Sequence, residues 1–294
     1  MDDVAVLGPG GVGGLLGALL ARAGAAVTCL AGPSTVAVLD EQGVRVESGL
    51  FGDFTVAVRA TERLVDPVGV VLVTVKATQL VEALDRLPAD VVGTALVVPL
   101  LNGVEHVDAL RERYPDATVL PATVRVESTR TAPGVIHHGS PFLAVELGKD
   151  SAVVRRFATQ LEQAGVTVKV SDDAATVLWS KLTFLAALAL LTTAAEAPAG
   201  EVREQRRDDL VAMVGEIAAV AQAEGAQVQA DGVVTFFDGI PAGMRSSMQR
   251  DAEAGNRLEL DAIAGAVVRA AGRHSIPVPV TSRYVDELRG RYRS

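Results

Sequence analysis

The chain has 294 residues, 49% of them hydrophobic and 21% charged, the composition of a globular protein and not of a disordered one. Its net charge of −9 disfavours non-specific binding to nucleic acid or to an anionic membrane surface. The single cysteine, Cys29, excludes an intramolecular disulfide and a cysteine-rich metal site, and a length of this order points to two domains.

In chain order, the first pattern is the most informative. Val4 to Leu7 is a short β-branched apolar run; it breaks at Gly8-Pro9-Gly10-Gly11-Val12-Gly13 and continues into an apolar run of helical length. Gly8, Gly10 and Gly13 fit the spacing G-x-G-x-x-G. In that arrangement the first glycine permits a tight turn, the second lets a pyrophosphate approach the backbone, and the third lets the helix pack on its strand. The N–H groups and positive dipole end of the new helix then face the anion, so Gly8, Gly10, Gly11, Val12 and Gly13 are expected to bind a dinucleotide. Ala25 to Leu30 reads as a second strand, with Cys29 as an inert core thiol. At its far end a carboxylate would bind the ribose 2′-hydroxyl of NAD and an arginine the 2′-phosphate of NADP. The local sequence, Ala31-Gly32-Pro33-Ser34-Thr35, offers neither. Ser34 and Thr35 can donate to a phosphate, and no carboxylate repels one, which favours NADP and leaves NAD open.

Gly43 to Glu47 and Phe54 to Val58 read as short strands about a glycine turn. Val68 to Val75 and Thr94 to Leu100 are nearly unbroken aliphatic runs, the pattern of strands buried on both faces of a parallel sheet. They end in Lys76-Ala77-Thr78-Gln79 and in Asn102-Gly103-Val104-Glu105. Ligands of open α/β sheets bind at the carboxyl ends of strands, so Lys76 and Asn102 suit a nucleotide and an acidic substrate. Further strands are expected within Thr118 to Val126 and Gly134 to Leu147, then a helix from Ser151 to Ala164 and a strand from Val166 to Val170. His137 and His138 have no third ligand at suitable spacing, so they are read as ordinary strand residues and no metal is expected.

From Ser171 onward the period is helical. The expected division is a dinucleotide-binding domain over 1–170 and a helical substrate domain over 171–294. Within the second, one helix carries Trp179 and Lys181, and long amphipathic helices are expected at Glu201 to Glu224 and Arg257 to Arg273. Pro277 and Pro279 precede a last helix ending near Tyr292. The apolar run Leu182 to Ala195, closed by Lys181 and Glu196, is shorter than the ~20 residues of a membrane span and reads as a buried helix. With no signal-peptide pattern at the start, the expected location is the cytoplasm. Uncharged helical faces are equally consistent with a homodimer contact and with core.

These motifs, in this order and spacing, resemble the ketopantoate reductases (2-dehydropantoate 2-reductases). The resemblance rests on Gly8-x-Gly10-x-x-Gly13, Val75-Lys76-Ala77-Thr78-Gln79, Asn102-Gly103-Val104, Trp179-Ser180-Lys181-Leu182, and Ser246-Ser247-Met248 followed by Glu259-Leu260-Asp261. It covers nearly the whole chain. It implies a Rossmann-like parallel-sheet domain followed by an all-helical domain, and NADPH-dependent reduction of the 2-oxo group of ketopantoate to pantoate, on the route to pantothenate. Carried over, Lys181 is the catalytic lysine and Glu259 its carboxylate partner. Ser247 contacts the substrate carboxylate, and Lys76 and Asn102 lie at the cofactor and the reacting centre. The chain also departs from the family. Leu185, Ala189 and Ala199 stand where it commonly has pocket asparagines, and Gly32 where an arginine is usual. A reductase of a more apolar 2-oxo acid is therefore an alternative, with Thr183, Thr192 and Thr193 as sources of replacement hydrogen bonds. A non-catalytic NAD(P)-binding regulatory module is the alternative of another class.

Overall fold

The computed structural model describes residues 2–292, which form two compact units. The first holds the described residues up to Leu101 together with His106–Ala174; the second holds Asn102–Glu105 and the described residues from Ala175 onward.

The first unit opens with β1 (Val4–Leu7), α1 (Gly11–Arg22), β2 (Val27–Leu30), α2 (Pro33–Gln42), β3 (Val44–Ser48), β4 (Phe54–Val56), β5 (Arg59–Thr61) and β6 (Val70–Val73). Short helices α3 (Leu80–Ala83) and α4 (Ala89–Val92) lead to β7 (Leu96–Pro99), α5 (His106–Arg113) and β8 (Thr118–Val119). Then follow β9 (Ala122–Arg125), β10 (Ser128–Ala132), β11 (Val135–His138), β12 (Ala144–Leu147), α6 (Ala152–Gln163) and β13 (Thr167–Val170). The principal sheet runs β5-β2-β1-β6-β7-β8, and every neighbouring pair in it is parallel. The fully buried residues of β1, β6 and β7 are what a parallel sheet covered on both faces demands. Strand order reverses direction between β1 and β6, so the crevice at their carboxyl ends is the topological switch point where such sheets bind ligands.

Two smaller sheets complete the unit, β10-β11-β3-β4 and β13-β12-β9. Helix α1 lies against β1 and β2 on one side and β3, β10 and β11 on the other. That double cover explains its run of buried residues from Gly13 to Leu20. His137 and His138, adjacent on β11, face opposite ways. His137 is exposed, whereas His138 is 3% exposed and hydrogen-bonded to Ser48 Oγ (2.9 Å), Ser140 Oγ (3.1 Å) and the Phe142 carbonyl (3.2 Å). Cys29 is fully buried, which pushes its thiol up to about 12 and keeps it inert.

The second unit is helical: α7 (Ala174–Ala195), α8 (Ala199–Gln205), α9 (Arg207–Ala223), α10 (Ala230–Gly239), α11 (Ser247–Glu253), a π turn over Asp261–Gly265, α12 (Ala266–His274) and α13 (Pro279–Arg291). Helix α7 is long and apolar enough to cross a membrane by composition, but Leu182, Leu188, Leu190 and Leu191 are buried in the core of this unit.

Two expected helices are built differently. Glu201 to Glu224 is not continuous, because Arg206 (φ −128°, ψ 28°) separates α8 from α9. Helix α8 docks in its own direction: the Ala199 and Gly200 N–H groups donate to the carbonyls of Met244 (2.9 Å) and Ala242 (2.8 Å), and Arg203 donates to the carbonyl of Ile240 (3.0 Å). Periodicity does not register such docking. Arg257 to Arg273 likewise does not begin as an α-helix; it starts with the π turn, and its α-helical part is α12. Helices α2, α3, α4, α5, α10 and α11 and strands β5 and β10 have no counterpart among the sequence expectations. Helix α2 is opened by Gly32 and Pro33, and the short edge strand β5 pairs with β2.

Candidate active site

The glycine turn follows β1 directly. Gly8 has φ +84°, a conformation open to glycine, and its N–H donates to the Leu30 carbonyl (3.2 Å). Thr74, just past β6, fastens the turn by donating its hydroxyl to the carbonyls of Leu7 (2.9 Å) and Gly8 (2.8 Å). A Cβ on Gly13 would stand 2.1 Å from Thr74 Oγ1, 2.5 Å from the Gly8 carbonyl oxygen and 2.9 Å from Val6 Cγ1, so only glycine lets α1 start this close to β1. A Cβ on Gly10 would find nothing nearer than 3.9 Å. Gly10 caps α1 without a side chain, and no acidic residue lies in the first turn. The space over Gly10 and the uncapped N–H groups of Gly11, Val12 and Gly13 therefore suit a dinucleotide pyrophosphate. Lys76 follows β6 on the other side of the switch point and opens a 3₁₀ turn, Ala77–Gln79.

At the end of β2 the sequence shows no arginine, but the fold brings one. Arg86 Nη1 donates to the carbonyls of Ala31 (2.9 Å) and Glu62 (2.8 Å), and its Nη2 lies 3.9 Å from where a Cβ on Gly32 would be. Beside it, α2 starts at Gly32 and Pro33 with no side-chain cap and no acid in its first turn. A guanidinium and an uncapped helix start thus occupy the position at which a nucleotide ribose is read. Nothing in the sequence flags Arg86, which lies 54 residues beyond Gly32 in a short helical segment.

In the second unit the structure brings together three of the residues singled out from sequence. Lys181 Nζ, on α7, donates to Asn102 Oδ1 (3.2 Å), and Asn102 Nδ2 donates to Glu259 Oε2 (3.0 Å). An ammonium only donates and a carboxylate only accepts, so the two partners fix the amide with its oxygen toward Lys181 and its nitrogen toward Glu259. Glu259 is 7% exposed, and a buried carboxylate persists when it is paired and hydrogen-bonded. Asn102 reaches this position because Asn102–Glu105, although it follows the β7 strand of the first unit, packs with the second.

Ser247 is exposed at the start of α11, whereas its neighbour Ser246 is 2% exposed and caps that helix, accepting from the Gln249 N–H (3.0 Å). The Thr192 hydroxyl donates to the Leu188 carbonyl (2.7 Å), so Ser246 must donate to Thr192 across their 2.9 Å contact. Thr183 donates to the Trp179 carbonyl (2.8 Å) and is fully buried. Thr192 and Thr183 thus both give their hydroxyl hydrogens to backbone carbonyls of α7. Of the three aliphatic residues at the family's asparagine positions, Ala189 and Ala199 are buried in the core at 1% and 0% exposure, and Leu185 is half-buried.

A glycine turn at the switch point of a parallel sheet in one unit, and in the other a lysine coupled to a carboxylate through an amide, are features that suit an NAD(P)-dependent oxidoreductase. Family comparison gives the particular lineage. Residues 4–152 match the family model for ketopantoate reductase PanE/ApbA, and residues 173–291 match the model for its C-terminal part. The chain belongs to the ketopantoate reductase family. It is 32% identical over 296 residues to the 2-dehydropantoate 2-reductase of Mycobacterium tuberculosis, covering 97% of this chain and 96% of that one. The crystal structure of a PanE/ApbA family ketopantoate reductase from Ralstonia eutropha JMP134 superposes with a TM-score of 0.87 at 31% identity, covering 98% and 97% of the two chains. D-mandelate dehydrogenase solved with NADH and anilino(oxo)acetate shares the fold, with a TM-score of 0.87 at 20% identity over 98% of this chain and 97% of that one.

Proposed function

We propose that the protein reduces 2-dehydropantoate to pantoate with NADPH, and that Lys181 is the proton donor. The observation that carries this reading is the hydrogen-bonded series Lys181–Asn102–Glu259. When bound at the glycine turn, the cofactor supplies the hydride that reduces C2 of the 2-oxo acid. Negative charge then develops on the former carbonyl oxygen. The Lys181 ammonium stabilises that charge and delivers a proton from Nζ, an acid-catalysis contribution of roughly 10²–10⁴-fold. Asn102 aims the ammonium by accepting one of its N–H groups, and Glu259 fixes Asn102 by accepting from its nitrogen. Ser247, exposed at the start of α11, is assigned to the substrate carboxylate, and Lys76 to the cofactor side of the reacting centre. NADPH is preferred over NADH because Arg86 and the uncapped start of α2 offer positive charge at the ribose end, with no carboxylate in that first turn.

A second reading, a more apolar 2-oxo acid, is favoured by one observation. Leu185 lies one helical turn beyond Lys181 on the same face of α7, half-buried, where a polar side chain would be needed to recognise a substrate hydroxyl. Both readings are tested by following consumption of reduced cofactor with ketopantoate and a panel of aliphatic and aromatic 2-oxo acids, with Lys181→Ala as control. Turnover of ketopantoate that Lys181→Ala lowers by roughly 10²-fold or more is the expected result. Turnover only of apolar acids would keep the mechanism and change the substrate. A fully active Lys181→Ala would refute the mechanism.

A further inference from the structure

Asn102 and Glu259 come from segments 157 residues apart, and the hydrogen bond between them requires those segments to be held in register. The side chains next to them along each segment do this. Arg269, on α12, grips Glu105 with a two-pronged contact, Nε to Oε1 at 2.8 Å and Nη2 to Oε2 at 2.6 Å. The same guanidinium reaches Asp261, Nη1 to Oδ1 at 2.9 Å and Nη2 to Oδ2 and to the Asp261 carbonyl at 3.2 Å. Glu105 lies three residues after Asn102, and Asp261 two residues after Glu259.

The backbones meet as closely as the side chains. A Cβ on Gly103 would stand 2.3 Å from the carbonyl oxygen of Ala262, so the turn after Asn102 rests directly on the π turn that follows Glu259. At Gly265, which closes the π turn, a Cβ would stand 2.5 Å from Asp261 Oδ1 and 3.1 Å from Arg269 Nη1. The missing side chain there leaves Asp261 and Arg269 room to meet. A π turn is a rare backbone form that recurs at functional sites, and here it sets the spacing between Glu259 and Arg269.

Stability alone gives this cluster little purpose. The side chains of Arg269, Glu105 and Asp261 are 42%, 40% and 67% exposed, and exposed ion pairs contribute on the order of 0–1 kcal/mol. A forked guanidinium does supply fixed geometry. We infer that Arg269 is a positioning residue that acts through Glu105 and Asp261 to hold Asn102 against Glu259, and thereby aims Lys181. This rests on the reading that Lys181, Asn102 and Glu259 carry the reaction.

The test is a double-mutant cycle of Arg269→Gln with Asn102→Ala in the full chain, read in single-turnover kinetics. It is joined by solvent exchange of the Asn102 side-chain amide, measured by NMR in otherwise wild-type protein and in Arg269→Gln. Arg269→Gln is expected to lower kcat by about ten-fold or more, because small misplacements of catalytic groups are costly, while KM for the 2-oxo acid and Tm change little. In the Asn102→Ala background the further loss should fall below about two-fold, since the residue acted upon is gone. The amide should exchange faster in Arg269→Gln, and Arg269→Lys, which keeps the charge without the fork, should recover only part of the loss. An unchanged kcat, an equal loss in both backgrounds, or unaltered amide exchange would overturn the inference. A fully active Lys181→Ala is a separate failure, of the catalytic reading itself, because amide exchange still reports whether Arg269 positions Asn102.

Discussion

Replacing Gly10 and Gly13 by alanine, one at a time, should separate stability from cofactor binding within a single turn. At Gly13 the added methyl meets the Gly8 carbonyl oxygen at 2.5 Å and Thr74 Oγ1 at 2.1 Å. Thr74 can rotate at the cost of its bonds to Leu7 and Gly8, but the Gly8 carbonyl is backbone and cannot yield without moving β1. Overpacking of this kind costs about 1–3 kcal/mol or more, and at about 2–4 °C per kcal/mol the expected fall in Tm is of order 5 °C or larger. At Gly10 the methyl meets nothing within 3.9 Å, and its φ of −83° and ψ of −157° are open to alanine. Alanine is a poorer N-cap by up to ~1 kcal/mol, but it restricts the unfolded chain by about 0.4–1 kcal/mol, so the net change in Tm should be near zero. The methyl does stand where a pyrophosphate would approach. NADPH affinity in Gly10→Ala should therefore fall by at least ~10-fold, or about 1.4 kcal/mol. Thermal denaturation and fluorescence titration with NADPH give the two readings. Gly10→Ala binding NADPH as tightly as wild type, or Gly13→Ala melting with Gly10→Ala, would refute the reasoning.

Arg86→Ala should weaken NADPH roughly 10-fold or more while leaving NADH within about two-fold, because a charge-assisted hydrogen bond to phosphate is worth ~1.5–3 kcal/mol. Equal weakening of both cofactors in a titration would show that Arg86 only supports the carbonyls of Ala31 and Glu62. In the helical unit, the Tyr284 hydroxyl donates to Asp209 (2.6 Å), as does Arg283 (2.6 Å), and the Tyr284 bond first and Arg283 next hold the Asp209 carboxyl below its ordinary range. A depressed carboxyl adds stability that is present above its unfolded value near ~3.9 and is lost as pH falls through the folded value. Tyr284→Phe should thus lower Tm at neutral pH and flatten the loss of Tm between about pH 5 and pH 2. An acid limb as steep as that of wild type would contradict this assignment.

The expected fold class is the observed one, and the residues show why it was legible. Val4 to Leu7 and Val70 to Val73 are buried on both faces, so aliphatic continuity marks each as an interior parallel strand without reference to the rest of the chain. Ser151 caps α6 at the expected place, accepting from the Val154 N–H, because capping too is local. The break at Arg206 and the π turn at Asp261–Gly265 were not legible, since both answer to segments distant in sequence: the loop before α11 for the first, the Asn102 turn for the second.

The candidate site divides in the same way. The glycine turn is written in the sequence because a positive φ at Gly8 and the closeness of Gly13 to Val6 and the Gly8 carbonyl arise within one strand–turn–helix unit, whereas the contact of Gly13 with Thr74 comes from the end of β6. Lys181, Asn102 and Glu259 were each visible as motif residues, but only tertiary packing joins them into one hydrogen-bonded series and orients the amide between them. Arg86 at the end of β2 and Arg269 between Glu105 and Asp261 are set by tertiary structure alone. A long guanidinium side chain can serve a position far from its own in sequence, and periodicity and motif spacing carry no record of where it reaches.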